Sequence, residues 1–236
     1  GSPIPFEPTV FEGLGNTISN LTISSGADRS NVGLFVRMNG TVRDIGFVNV
    51  NIEGFGTEQR VGTVAGQIDG AGAVLNSFVT GSVSGTGRSF TGAFTGANEG
   101  TVAFSYSNAS VAAGAGAGGV GGLVGINAAG EQGQWKGAVK ESYSTGTVTS
   151  GDGVMAGGLV GYNYGGAISN SYATGAVTGG NSSFVGGLTG VSTISDSSSP
   201  TIASSYSTGA VIGGSGAIVG GFIGEDLAQT GTTNSY

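Results

Sequence analysis

The stretch "GGLVGYNYGGAISNSYATGAVTGG", residues 157–180, recurs with variations along almost the whole chain, and this recurrence limits the possible folds more than any other feature. Aligned on one large apolar or aromatic marker, eight copies appear, at Leu21, Phe47, Phe78, Tyr106, Tyr143, Tyr172, Tyr206 and Tyr236. The intervals are 26, 31, 28, 37, 29, 34 and 30 residues. A period near thirty marks a stacked array in which each unit buries the face of its neighbour.

The irregularity has one location. From each marker after the first to the closing glycine of the next motif (Gly66, Gly96, Gly125, Gly161, Gly190, Gly224) the distance is 18 or 19 residues. From that glycine to its own marker it is 10 to 12, except for two copies at 18 and 16. Fixed segments therefore form the coil, and extra residues leave it at one edge. The inserts are "NAAGEQGQWKGAVKES" (residues 127–142), with the only Trp, and "VSTISDSSSPTIAS" (residues 191–204). Both are expected to emerge on the same side.

Columns of like residues predict the facing of each strand. Leu34, Val64, Phe94, Leu123, Leu159, Leu188 and Phe222 are apolar in every copy and face the core. Val74, Val102, Val139, Ile168 and Ile202 lie four residues before the aromatic, so simple alternation puts both on one face. On that rule Phe47, Phe78, Tyr106, Tyr143, Tyr172 and Tyr206 form an inward, stacked core ladder. Two positions disturb the rule. The intervening Asn76, Phe104, Glu141, Asn170 and Ser204 read as a bend or a polar ladder. Val83, Val111, Val148, Val177 and Val211 have the wrong parity, so a Thr-Gly corner is needed to reset the face.

Composition agrees with strands. The 51 glycines count against helices, at about 1 kcal/mol per helical position, and no stretch shows a capped 3.6-residue stripe. The predicted fold is all-β: a single-domain parallel β-solenoid (β-helix) of about eight coils, roughly 30 residues each, with residues 1–30 a leading segment or cap and residues 31–236 the repeats.

Several function classes are excluded. With no His and no Cys, the usual catalytic triads, thiol nucleophiles and zinc sites are absent. The acids are scattered, and Glu225 with Asp226 reads as a solvated loop, so neither a metal, a cofactor nor a catalytic residue is expected. Seven basic residues at a pI near 4.3 argue against nucleic acid, and charge-free runs full of Gly, Ser, Asn and Thr argue against membrane insertion. The best binding candidates are in the inserts: Trp135, beside Glu131, Lys136 and Lys140, and Asp196 in the second insert. An exposed Trp among charges stacks on a sugar face or anchors a protein, whereas a loop Trp can equally fold down as a lid. A column of Asn49, Thr80, Asn108, Thr145, Thr174 and Thr208 offers a third option, an ice-binding surface, but a Thr-x-Thr pair in it occurs only at Thr145 and Thr147.

The repeat resembles the GLUG motif of large secreted bacterial surface proteins, including filamentous haemagglutinin-like adhesins and the non-catalytic region of some immunoglobulin A metallopeptidases. The copies at Gly122, Gly158 and Gly187 carry the resemblance most clearly, and those at Gly92 and Gly221 follow. It implies a secreted or cell-surface β-helix with adhesive or stalk roles and no catalytic residues to carry over. The expected function is thus a non-enzymatic adhesin or stalk module, a fragment of a longer exported protein, binding a cell-surface protein or glycan through its side loops. The alternative is a structural spacer attached to a secreted peptidase or glycan-active enzyme. An open coil edge also predicts end-to-end self-association.

Overall fold

The computed structural model describes residues 4–6, 10–130, 134–228 and 232–236. Among these the strands stack in parallel into four sheets of eight, eight, twelve and seven strands, with no helix. One coil shows the plan. Val124–Ala128 lies in sheet I, Ala138–Lys140 in sheet II, Tyr143–Ser144 and Val148–Ser150 in sheet III, and Met155–Gly157 in sheet IV. Val160–Tyr164 then re-enters sheet I one coil on. The chain is a parallel β-solenoid of seven complete turns, and an eighth contributes strands to sheets I and II. At about 4.8 Å per coil, seven turns make a rod about 34 Å long. Val10–Glu12, Thr17–Ser19 and Thr22–Ser25 already pair with the second coil, so the opening segment forms part of the first coil.

The core is built from the expected columns. Val64, Phe94, Leu123, Leu159 and Leu188 are fully buried, as are Val74, Val102 and Val139, with Ile168 and Ile202 nearly so. The aromatic column is different. Phe78, Tyr106, Tyr143, Tyr172 and Tyr206 stand on the outer face of sheet III, half-buried, in a continuous stack that ends on Tyr236. Centroid spacings run from 4.8 to 5.9 Å, with ring planes within 18° of parallel. Such pairs contribute about 0.5–1.5 kcal/mol each beyond area burial. The expected inward ladder is therefore corrected: of its six members only Phe47 is in the core, fully buried. Phe47 pairs with Val79 rather than Phe78, whose neighbour in the second coil is Gly46.

The reason lies in the residue that broke the alternation. Asn76, Phe104, Glu141, Asn170 and Ser204 all adopt φ between 47° and 52°. A left-handed residue turns the chain at the corner between sheets II and III, and it inverts the facing of everything after it. Val139 points in, Glu141 turns, Ser142 points in and Tyr143 points out. Val83, Val111, Val148 and Val177 then face inward by plain alternation, so the Thr-Gly step resets nothing.

The serine before each aromatic now has a role. Ser77, Ser105, Ser142, Ser171 and Ser205 are buried in register at the corner. Each hydroxyl donates to the carbonyl two residues earlier, at 2.7–2.9 Å. The hydroxyls of Ser105, Ser142, Ser171 and Ser205 also accept the backbone N–H of the serine one coil before, Ser142 N–H donating to Ser171 Oγ at 3.2 Å. Ser171→Ala is expected to destabilise the chain by about 1–3 kcal/mol, because the Ser142 N–H is left buried without an acceptor. Urea unfolding followed by circular dichroism measures this, and a change below about 0.5 kcal/mol would remove the ladder's stabilising role.

A second polar column occupies sheet I. Met38, Ile68, Asn98, Asn127, Asn163 and Ser192 stack in register, the asparagines fully buried. Asn98 Nδ2 donates to Asn127 Oδ1 at 2.9 Å, and Asn127 Nδ2 donates to Asn163 Oδ1 at 3.0 Å. At the two ends Asn98 Oδ1 and Asn163 Nδ2 have no partner among the described residues. The column continues to Ile68, which offers no donor, and to Ser192.

Candidate functional site

Both long inserts leave the coil at the corner between sheets I and II. In the first, the described residues on either side of residues 131–133 run antiparallel. Ala129 bridges Lys136, Gly137 N–H donates to Ala128 O at 2.8 Å and Gly130 N–H donates to Trp135 O at 3.0 Å. The second folds on Ser195, whose Oγ accepts from Ser198 N at 3.0 Å, while Ser198 Oγ donates to Gly165 O at 2.9 Å. Lys136 Nζ donates to Ser199 O at 2.9 Å and thereby ties the two inserts together. Burial in that contact lowers the Lys136 pKa.

Trp135 reaches back two coils and seats on Gly70, where any side chain would overlap the indole. It is also 48% exposed, so it acts both as a lid and as a surface. Ile194, 50% exposed, lies in the second insert together with exposed Asp196. Lys140 is placed elsewhere, on a sheet II strand between Ala103 and Ser169. Glu131 lies outside the described residues. Of the five candidates, then, the structure joins Trp135 and Lys136 to the insert carrying Asp196 and sets Lys140 apart.

Sequence reasoning missed a cluster on the neighbouring surface. Trp135 lines a shallow cleft with Gln67, Glu99, Arg37 and Arg60. Arg37 is held bidentately by Asp69, with Nη2–Oδ1 at 2.7 Å and Nε–Oδ2 at 3.1 Å. Arg60 also lines two adjoining clefts, one with Arg29 and Arg37 and one with Arg29, Arg88 and Phe90. A signal was present: Arg60 and Phe90 occupy one column of sheet IV, an interval of 30 residues.

Elsewhere the exterior is plainer. Thr145, Thr174, Thr208 and Asn108 are exposed on sheet III beside the tyrosine stack. Burial, and to a smaller degree neighbouring tyrosines, raises the pKa values of Tyr143 and Tyr172. Among the described residues no group of three or more His, Cys, Asp or Glu side chains is placed to hold a metal ion, and no helix is long and apolar enough to cross a membrane.

The comparisons with known proteins fit this architecture. No curated protein matches the chain. The crystal structure of a candidate immunoglobulin A1 protease from Bacteroides ovatus superposes with a TM-score of 0.62 at 22% identity, over 95% of this chain and 68% of that one. At that identity the likeness is one of fold. The family model for the GLUG motif matches residues 116–149 and 152–178, the fifth turn and the coil segments that flank it. The described coils share one plan, and residues 116–149 and 152–178 of this β-solenoid match the GLUG motif.

Proposed function

We propose that this chain is a non-catalytic, extracellular adhesive or stalk module of a bacterial surface protein, presenting its two inserts on the side of a stiff rod. The observation that carries the reading is the joined pair of inserts. On an otherwise repetitive surface they leave at one corner, bond through Lys136 and Ser199, and hold a half-exposed Trp135. Large amphipathic side chains ordered before contact give binding at low entropic cost. Beads coated with the purified chain are expected to adhere to target cells, and Trp135→Ala should cut adhesion by about tenfold, the loss typical of one aromatic anchor. Unchanged adhesion by a correctly folded Trp135→Ala variant would sink the insert-based reading.

The likeness to a candidate immunoglobulin A1 protease supports a second reading, a structural spacer within a secreted peptidase. A spacer needs length and stiffness but no surface chemistry. In that case the coated beads would not adhere at all.

A further inference from the structure

From the cleft that Arg60 forms with Arg88 and Phe90 we infer a binding site for an acidic saccharide, adjoining the Trp135 cleft, with which it shares Arg60. Arg60 and Phe90 are directly paired neighbours in sheet IV, with side chains on the outer face, because Val61 and Thr91 beside them point inward and are fully buried. With Arg29, Glu58 and Arg88 they line an open cleft of about 640 Å³. Glu58 is neutralised by Arg29 at 2.8 Å. Arg60 and Arg88 form no ion pair or side-chain hydrogen bond among the described residues, which leaves two uncommitted guanidiniums. The Phe90 ring leans over Gly118, where a side chain would sit 2.7 Å from its edge, so the ring is held at the cleft by the lack of a neighbour.

This arrangement selects a chemistry. A guanidinium fork matches a carboxylate bidentately, and a half-exposed aromatic face accepts the C–H face of a sugar ring. The adjoining cleft adds Ser30 and Asn31, which suit hydroxyl groups. An extended peptide would instead need a free strand edge. Sheet IV offers none here, since the Arg60 strand is paired on both sides. The chain's net charge of -7 repels anions at a distance, so attraction is confined to contact with the cleft.

The test is calorimetric titration of the whole chain with an oligomer of galacturonic acid and with its neutral methyl ester. The acid should bind, and the ester at least about tenfold more weakly. Arg60→Met and Arg88→Met should each weaken binding by about tenfold, and Arg60→Lys should recover only part of the loss. Arg43→Met, which removes a guanidinium paired with Glu12 on sheet II, should leave this binding unchanged, which keeps the effect specific to the cleft. Circular dichroism confirms that each variant is folded. Equal binding of acid and ester, no binding at millimolar concentration, or indifference to Arg60→Met overturns the inference. Equal affinity for an aspartate-rich peptide overturns the saccharide class.

Discussion

Gly157→Ala is expected to destabilise the chain by about 3 kcal/mol or more, whereas Gly153→Ala, four residues earlier, should cost only about 1–2 kcal/mol. The two glycines answer different physical demands: the Gly157 column is glycine in Gly92, Gly121, Gly186 and Gly220, whereas Ser182 takes the place of Gly153 in the next coil at φ 53°. At Gly157 a methyl group would overlap the carbonyl oxygen of Val160 and lie 2.7 Å from Gly190 N and Thr189 Cα, all backbone that cannot swing aside. At Gly153 nothing lies within 4 Å of the added carbon, and the cost is that of φ +69° for a residue with a side chain. The other glycines of the motif repeat the first case: a methyl group at Gly158 would overlap Gly187 O, and one at Gly161 would lie 2.5 Å from Val120 N. Sheets I and IV thus approach backbone to backbone, and the G-G-L-V-G formula is what remains when side chains are excluded there. Since solenoid stability is a sum of neighbouring interfaces, Gly157→Ala should also broaden the urea transition and raise hydrogen exchange in the adjoining coils first. Equal costs for the two variants would show that backbone approach is not the cause.

The second large effect is expected at Asn127, fully buried and bonded to an asparagine on each side. Asn127→Ala should cost about 2–4 kcal/mol, combining a cavity with two broken amide bonds. Asn127→Asp should depend on pH. A protonated carboxyl reproduces the amide, accepting from Asn98 through its carbonyl oxygen and donating its O–H to Asn163 Oδ1. An ionised one would be buried and would face that acceptor. Its folded pKa is therefore raised above the unfolded value of about 3.9. Here the folded state binds the proton more tightly, so stability is greatest below the unfolded pKa and falls as pH rises toward the folded pKa. Urea midpoints at acid and neutral pH measure this. A variant with the same pH profile as the parent chain would rule out the ladder as described.

The candidate site was only partly legible in the sequence. Trp135 and Lys136 stood out because they interrupt a regular repeat, and the structure does place them in the insert. The asparagine column was visible as an Asn in "TGAN", "VGIN" and "VGYN", but a polar residue after a strand reads as surface until its partners are known. Nothing in the sequence marks Arg60 or Phe90 alone, because their meaning lies in adjacency across coils.

The spacing of the repeat by itself determined the parallel coil, its period and the single corner where inserts leave, because a stack in register leaves insertions only one place to go. Which way the tyrosines face was decided by the tertiary structure. Facing depends on the φ of one corner residue, and Phe104 and Glu141 adopt the left-handed form that their chemistry does not favour. The stack holds them there: Phe104 N–H donates to Lys140 O and Glu141 N–H to Ser169 O, each one coil on. Long-range backbone bonding overrides the local preference, and it alone turns an expected core ladder into an external one.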